Sequence, residues 1–225
     1  MILEKKQNLV LPQNVSDELL LGDDIKKLGK IMIPLMPRYS GALREVGTKL
    51  EVLDDEFNMT NNHSPSHHME SRIKSIGSIY GKLIKKGFDI SESSVCTNIY
   101  DIAGIRVICK YTNEIYRLVD LISTQDDIDV IRTRDYIKEP KENGYRSLHI
   151  ILGIPVFLSN VTYKVPVEVQ FRTIAMDMWA SLEHEIRYKS GKEMKPGMAE
   201  KLRKCADMLS ETDSSMQSIF LQMMG

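Results

Sequence analysis

Residues 165–173 restrict the fold more than any other part of the chain. Val167, Val169 and Phe171 alternate there with Glu168, Gln170 and Arg172. On an extended backbone, that alternation puts apolar side chains on one face and polar ones on the other. The segment runs without a break into Thr173, a good N-cap residue, and then into a helix expected over 174–188 that holds the only tryptophan, Trp179. A solvent-facing strand would alternate in the same way. The immediate entry into a helix favours a strand with one core face and one working face, the latter close to a helix start.

Further strands are expected at 69–74, 105–111, 128–133 and 147–154, making one sheet of five with the segment at 165–172. Between them the periodicity predicts helices over 76–86, stopped by Gly87, and over 113–124, where Ile115, Leu118, Val119 and Ile122 form one apolar stripe. Upstream, Leu43, Val46, Leu50, Leu53 and Phe57 recur at helical spacing and predict a helix over 37–58 with Pro37 in its first turn. The polar run 60–66 is a loop. The tail 196–224 places Met198, Leu202, Cys205, Leu209, Met216, Ile219 and Met223 on a heptad seam. That seam suits a helix lying on its own domain or one joining copies of the chain. The fold class is α/β (α+β): a mixed five-stranded sheet flanked by helices, with residues 1–225 forming one unit.

Composition narrows the function classes. The 30 basic and 31 acidic residues nearly cancel, so nothing in the net charge suggests a protein that coats nucleic acid or a membrane. Cys96, Cys109 and Cys205 are far apart and include no CxxC pair, which supports neither a disulfide framework nor a zinc site. No stretch reaches the apolar length of a membrane span, and residues 1–14 lack the pattern of a signal peptide. A cytoplasmic location is expected.

Four segments carry candidate chemistry. Arg72 and Lys74 share a strand face; Ser75 then caps a helix on which Ser78, Lys82 and Lys85 follow at near one-turn spacing. Cations gathered around a helix N-terminus suit a polyphosphate, although a solvated basic face would read the same way. Asp101 precedes a turn at Ala103 and Gly104, with Arg106 on the outgoing strand. With Glu168 it supplies two carboxylates of the kind that hold magnesium alongside phosphate oxygens and water. The run 138–149, KEPKENGYRSLH, offers Lys141 for phosphate and Tyr145 as a ring for stacking a base. His149 shares the strand face of Tyr145 and suits either a structural or a catalytic role.

In order, RIKSIGSIYGKL, YDIAGIRVIC, DYIKEPKENGYRSLH and VEVQFRTIAMDMWASLEH resemble the synthetase domain of the RelA/SpoT family over roughly 60–188. The flanking helices resemble those of stand-alone small alarmone synthetases. The resemblance implies a nucleotidyltransferase-like synthetase fold and a pyrophosphokinase that moves the β,γ-diphosphate of ATP to the 3′-hydroxyl of GDP or GTP. It implies that Arg72 and Arg106 hold the adenine of ATP, and that Lys74, Ser78, Lys82 and Lys85 hold its phosphates. Asp101 and Glu168 would bind Mg2+, with Glu168 also the base. Tyr145 would stack on guanine, with Lys141, Asn143, His149, Gln170, Arg172 and Arg134 completing the GDP/GTP site. It further implies a homotetramer built through the terminal helices. Where relatives activated by their product carry basic residues on the N-terminal helix, this chain has Gly47, Glu51 and Asp54. Two rival readings are a sister enzyme acting on adenine nucleotides or the 3′ end of transfer RNA, and a non-catalytic regulator binding nucleotide or single-stranded RNA. The balanced charge and the presence of both acids give the regulator little support.

Overall fold

The computed structural model describes residues 4–5, 22–189 and 197–224. Residues 1–3 and 6–21, which include most of the segment 1–14 read for a signal peptide, and the junction holding Gly191 and Pro196 lie outside the described residues. In chain order the elements are β1 (Glu4–Lys5), α1 (Asp23–Asn61), β2 (Ser66–Ile73), α2 (Ile76–Lys85), α3 (Glu92–Asn98), β3 (Ala103–Cys109), α4 (Thr112–Ser123), β4 (Asp129–Asp135), β5 (Leu148–Phe157), β6 (Thr162–Thr173), α5 (Ile174–Lys189) and α6 (Met198–Met224). The five strands expected from the sequence form one mixed sheet in the order β2-β3-β6-β5-β4, and the two-residue β1 adds parallel to β2 at its edge.

The alternation in β6 works as read. Val165, Val167, Val169 and Phe171 are buried in the main core, while Glu168 and Gln170 face the other way and are partly exposed. β6 is the centre of the sheet, parallel to β3 and antiparallel to β5. Its core face is sealed by α1, which packs on β2, β3, β5 and β6.

The helix expected to begin at Pro37 begins at Asp23, with Pro34 and Pro37 inside it. Leu28, Met32, Leu35, Tyr39, Ala42 and Val46 are all buried along one face, at steps of four and three. Packing of that stripe outweighs the hydrogen bonds the two prolines remove. Asn62, in the left-handed region at φ 50°, ends the helix. Asp54 is buried in its last turns, where its carboxylate accepts from Ser64 Oγ (2.7 Å), Ser66 N (3.0 Å) and Ser66 Oγ (2.6 Å). Asp54 therefore holds the loop into β2, and the buried Gly47 likewise presents nothing to solvent.

The tail helix α6 packs on its own chain through only part of its seam. Leu202, Ala206 and Leu209 join Trp179, Ala180 and Tyr145 in a second small core, and Trp179 Nε1 donates to the Leu202 carbonyl (2.8 Å). Farther along, Phe220 stacks on Tyr111 at 4.4 Å between centroids. Cys205, Met216, Ile219 and Met223 of the expected seam are exposed. No helix among the described residues is long and apolar enough to cross a membrane.

Candidate active site

The register of the sheet lines up the polar residues of its open face. Glu70 on β2 is opposite Arg106 on β3, which is opposite Gln170 on β6; Gln170 faces His149 on β5, and His149 faces Arg134 on β4. The adjacent row runs Arg72, Gly104, Glu168, Ile151, Arg132 through the same pairings. Side chains opposite one another share a face, so residues as far apart in sequence as Glu70 and Gln170 converge without any long loop. Gly104 contributes no side chain, which leaves the floor open between Arg72 and Glu168.

α2 delivers the next cations. Ser75 Oγ accepts from Ser78 N (3.3 Å) and caps the helix as expected. Asp101 lies between the lysines: Lys74 Nζ donates to its Oδ2 at 2.6 Å and Lys82 Nζ to its Oδ1 at 2.7 Å. Burial pushes the Asp101 carboxyl up, but the hydrogen bonds and charges of Lys74 and Lys82 prevail and hold it below the usual carboxylate range.

Glu168 is likewise flanked by donors. Burial raises its carboxyl, yet His149 and Gln170 hold it below the ordinary value against a smaller opposing push from the Asp101 charge. His149 Nδ1 meets Glu168 Oε1 at 3.2 Å and Gln170 Nε2 donates to Oε2 at 3.0 Å. Arg172 closes a circuit, its NH2 group donating to Gln170 Oε1 (3.2 Å) and Tyr145 Oη (2.8 Å), while Tyr145 Oη lies 2.8 Å from His149 Nε2. A carboxylate only accepts, so Nδ1 carries the histidine proton; Tyr145 can then donate to Nε2 while accepting from Arg172.

Two cavities meet at these acids. One, of about 350 Å³, is lined by Arg72, Lys74, Ser75, Ser78 and Arg106 among others; the second, of about 310 Å³, by Lys82, Lys86, Tyr100, Arg132, Arg134 and His149. Asp101 and Glu168 line both. The carboxylates read as a pair thus share one centre. Gln170 lines the first cavity. Tyr145, Arg172 and Lys141 stand behind the second: Lys141 Nζ is 4.7 Å from the Tyr145 ring centroid, and His149 joins Tyr145 to the cavity wall. Asn143 braces the turn, its Oδ1 accepting from Tyr145 N (3.2 Å) and its Nδ2 donating to Glu183 (3.3 Å).

Lys85 lines neither cavity; it is exposed, and Lys86 contributes to the wall instead. Lys86 lies four residues from Lys82 and so continues its line along the helix. Arg132, Tyr100 and Asp177 were also not anticipated. Arg132 has a signal in retrospect, since it precedes Arg134 by two on the same strand and must share its face.

The site suits a hard divalent cation. Its donors are carboxylate oxygens held ionised, and no cluster of three or more His, Cys, Asp or Glu able to hold a metal occurs among the described residues. Such an ion would draw its remaining ligands from phosphates and water, the usual way magnesium is bound.

Comparison with known proteins finds relatives over most of the chain. The model of the region found in RelA / SpoT proteins matches residues 71–193. The GTP pyrophosphokinase YwaC of Bacillus subtilis is 39% identical over 197 residues, covering 88% of this chain and 94% of the relative. Among solved structures, small alarmone synthetase 2 from B. subtilis is 40% identical with a TM-score of 0.74, over 82% of this chain and 96% of that one. Small alarmone synthetase 1 from B. subtilis, bound to its product pppGpp, is 30% identical with a TM-score of 0.76, over 88% of this chain and 98% of that one.

Proposed function

Because the chain belongs to the RelA/SpoT family, we propose that it is a GTP pyrophosphokinase, moving the β,γ-diphosphate of ATP onto the 3′-hydroxyl of GDP or GTP and releasing AMP. The observation that carries this reading is the meeting of two cavities at a single carboxylate pair. A transfer between two nucleotides needs a place for each and one reaction centre between them.

ATP is assigned to the larger cavity, its base against Arg72 and Arg106 and its phosphates toward Lys74, Ser78 and Lys82. Lys85, exposed and outside both walls, is left out of this assignment, and Lys86 belongs to the wall of the second cavity. The acceptor is assigned to the second cavity, where Tyr145 offers its ring, Lys141, Arg134 and His149 face the phosphates, and Asn143, Gln170 and Arg172 hold the tyrosine's surroundings. Glu168 takes the proton from the 3′-hydroxyl as that oxygen bonds to the β-phosphorus of ATP; the bond from the β-phosphorus to the oxygen bridging it to the α-phosphate breaks, and AMP departs. Positioning and charge neutralisation carry most of such a transfer. Mg2+ held by Asp101 and Glu168 would supply neutralisation of the polyphosphate charge.

We assign the protein to the cytoplasm as a homotetramer joined through its terminal helices. The exposed Met216 and Ile219 of α6 support an apolar contact between copies.

The direct test mixes purified protein, magnesium and labelled ATP with GDP, GTP, ATP or uncharged transfer RNA in turn. Label appearing at the 3′ position of the guanine nucleotides is expected. Label on transfer RNA or ATP alone would make the protein the sister enzyme, and binding without transfer would make it a regulator.

The acceptor loop supplies a second prediction. Gly144, at φ +91°, abuts α6 so closely that a Cβ would lie 2.7 Å from Ala206 Cβ and 3.3 Å from Arg203 Cα. Gly144→Ala combines that overlap with a backbone conformation worth about 1–3 kcal/mol of strain. Steady-state kinetics should show KM for the acceptor raised about ten-fold, with KM for ATP nearly unchanged. An equal rise in the two constants would disconnect this loop from the acceptor.

A further inference from the structure

Asp177 belongs to neither cavity wall, yet it joins them. It lies in the first turn of α5, and its Oδ1 accepts from Arg172 NH1 at 2.9 Å while standing 3.4 Å from Arg106 NH1. The two guanidinium groups serve opposite sides of the centre. Arg106 lines the larger cavity, and Arg172 holds Tyr145 Oη and Gln170 Oε1. The two lie close enough to interact, for burial first and then the neighbouring Arg172 charge pull the Arg106 guanidinium below its usual value. Arg106 has Glu70 as a second acid at 3.3 Å; Arg172, almost fully buried, has Asp177 as its one ion-pair partner among the described residues. The Nε atoms of both arginines are buried without a hydrogen-bond partner, so these side chains depend on their terminal nitrogens for placement.

Resting on the pyrophosphokinase reading above, we propose that Asp177 is a positioning residue for both nucleotide sites, fixing Arg106 for ATP and, through Arg172, Tyr145 for the acceptor. Without its charge the two cations lose their shared anion and repel. The guanidinium at each site then departs from its working geometry together with the other. An acid of purely structural use would alter folding stability and leave both affinities alone.

The test is a kinetic comparison of Asp177→Asn, Asp177→Glu and Asp177→Gln with the parent protein, varying ATP and GDP separately. Asp177→Asn should raise KM for ATP and KM for GDP, each about ten-fold, with kcat reduced less than either. Asp177→Glu keeps the charge and should restore both constants to within about three-fold of the parent. Constants for Asp177→Asn equal to the parent's, or a rise in only one of them, would overturn the proposal. If Asp177→Asn does not fold, Asp177→Glu and Asp177→Gln, which match each other in shape, decide it: kcat/KM for ATP and for GDP should each be at least about five-fold higher with Glu, and equality overturns the proposal. A parent protein that transfers nothing to either GDP or GTP refutes the function itself, a result separate from any ranking of the variants.

Discussion

Replacing Glu168 by glutamine should slow turnover by about 10²–10⁴-fold, the range a positioned general base contributes, while nucleotide binding stays close to that of the parent. The side chain keeps its length and the amide oxygen can still accept from His149 Nδ1. Its amide nitrogen, however, would face Gln170 Nε2, which now donates to Glu168 Oε2 at 3.0 Å. Gln170 cannot simply turn over to suit, because its oxygen already accepts from Arg172 at 3.2 Å. The rate of AMP release in the presence of GDP measures the loss, and equilibrium dialysis with each nucleotide measures binding. A loss smaller than ten-fold in kcat would remove Glu168 from the role of base.

Asp101→Asn should be of similar severity, about 10³-fold in rate, since several kcal/mol of charge stabilisation at the phosphates is at stake. It also has a signature in stability. Lys74 and Lys82 bridge the two oxygens of this carboxylate, and with a neutral amide they face each other unbalanced. The folded-state pKa of Asp101 is depressed, so its contribution is present above the unfolded carboxylate range and disappears as pH falls through the lower folded value. The variant should therefore be less stable than the parent by about 1 kcal/mol near neutral pH, and the difference should close in acid. Urea unfolding of the two proteins at neutral and at strongly acid pH tests this. A gap that persists unchanged in acid would mean the two lysines are not what holds the carboxylate charged.

Much of this was legible because strands report their faces at a period of two. Glu168, Gln170 and Arg172 in β6 and Arg72 and Lys74 in and just beyond β2 could be assigned to a working surface from alternation alone, and the register then supplied neighbours that no local pattern contains. Helix phase was harder. Lys85 and Lys86 are adjacent, and only the burial of Ile79 and Leu83 decides which lysine continues the line of Lys82 into the cavity. The start of α1 was hidden for a different reason: Pro37 read as a first-turn residue, whereas the buried stripe through Leu28, Met32 and Leu35 carries the helix through both it and Pro34. Asp177 looks in the sequence like an ordinary acid in a first helical turn, favoured there by the helix dipole. Its partners come from two different strands, and only the folded chain brings them together.

The location of the lone indole has a practical consequence. Trp179 is about 5% exposed and its ring nitrogen is tied to the main chain of α6, so intrinsic fluorescence excited selectively at tryptophan reports on one joint of the molecule. A red shift in emission that precedes the loss of far-ultraviolet ellipticity on heating would time the release of the last helix separately from the melting of the sheet, with no label attached.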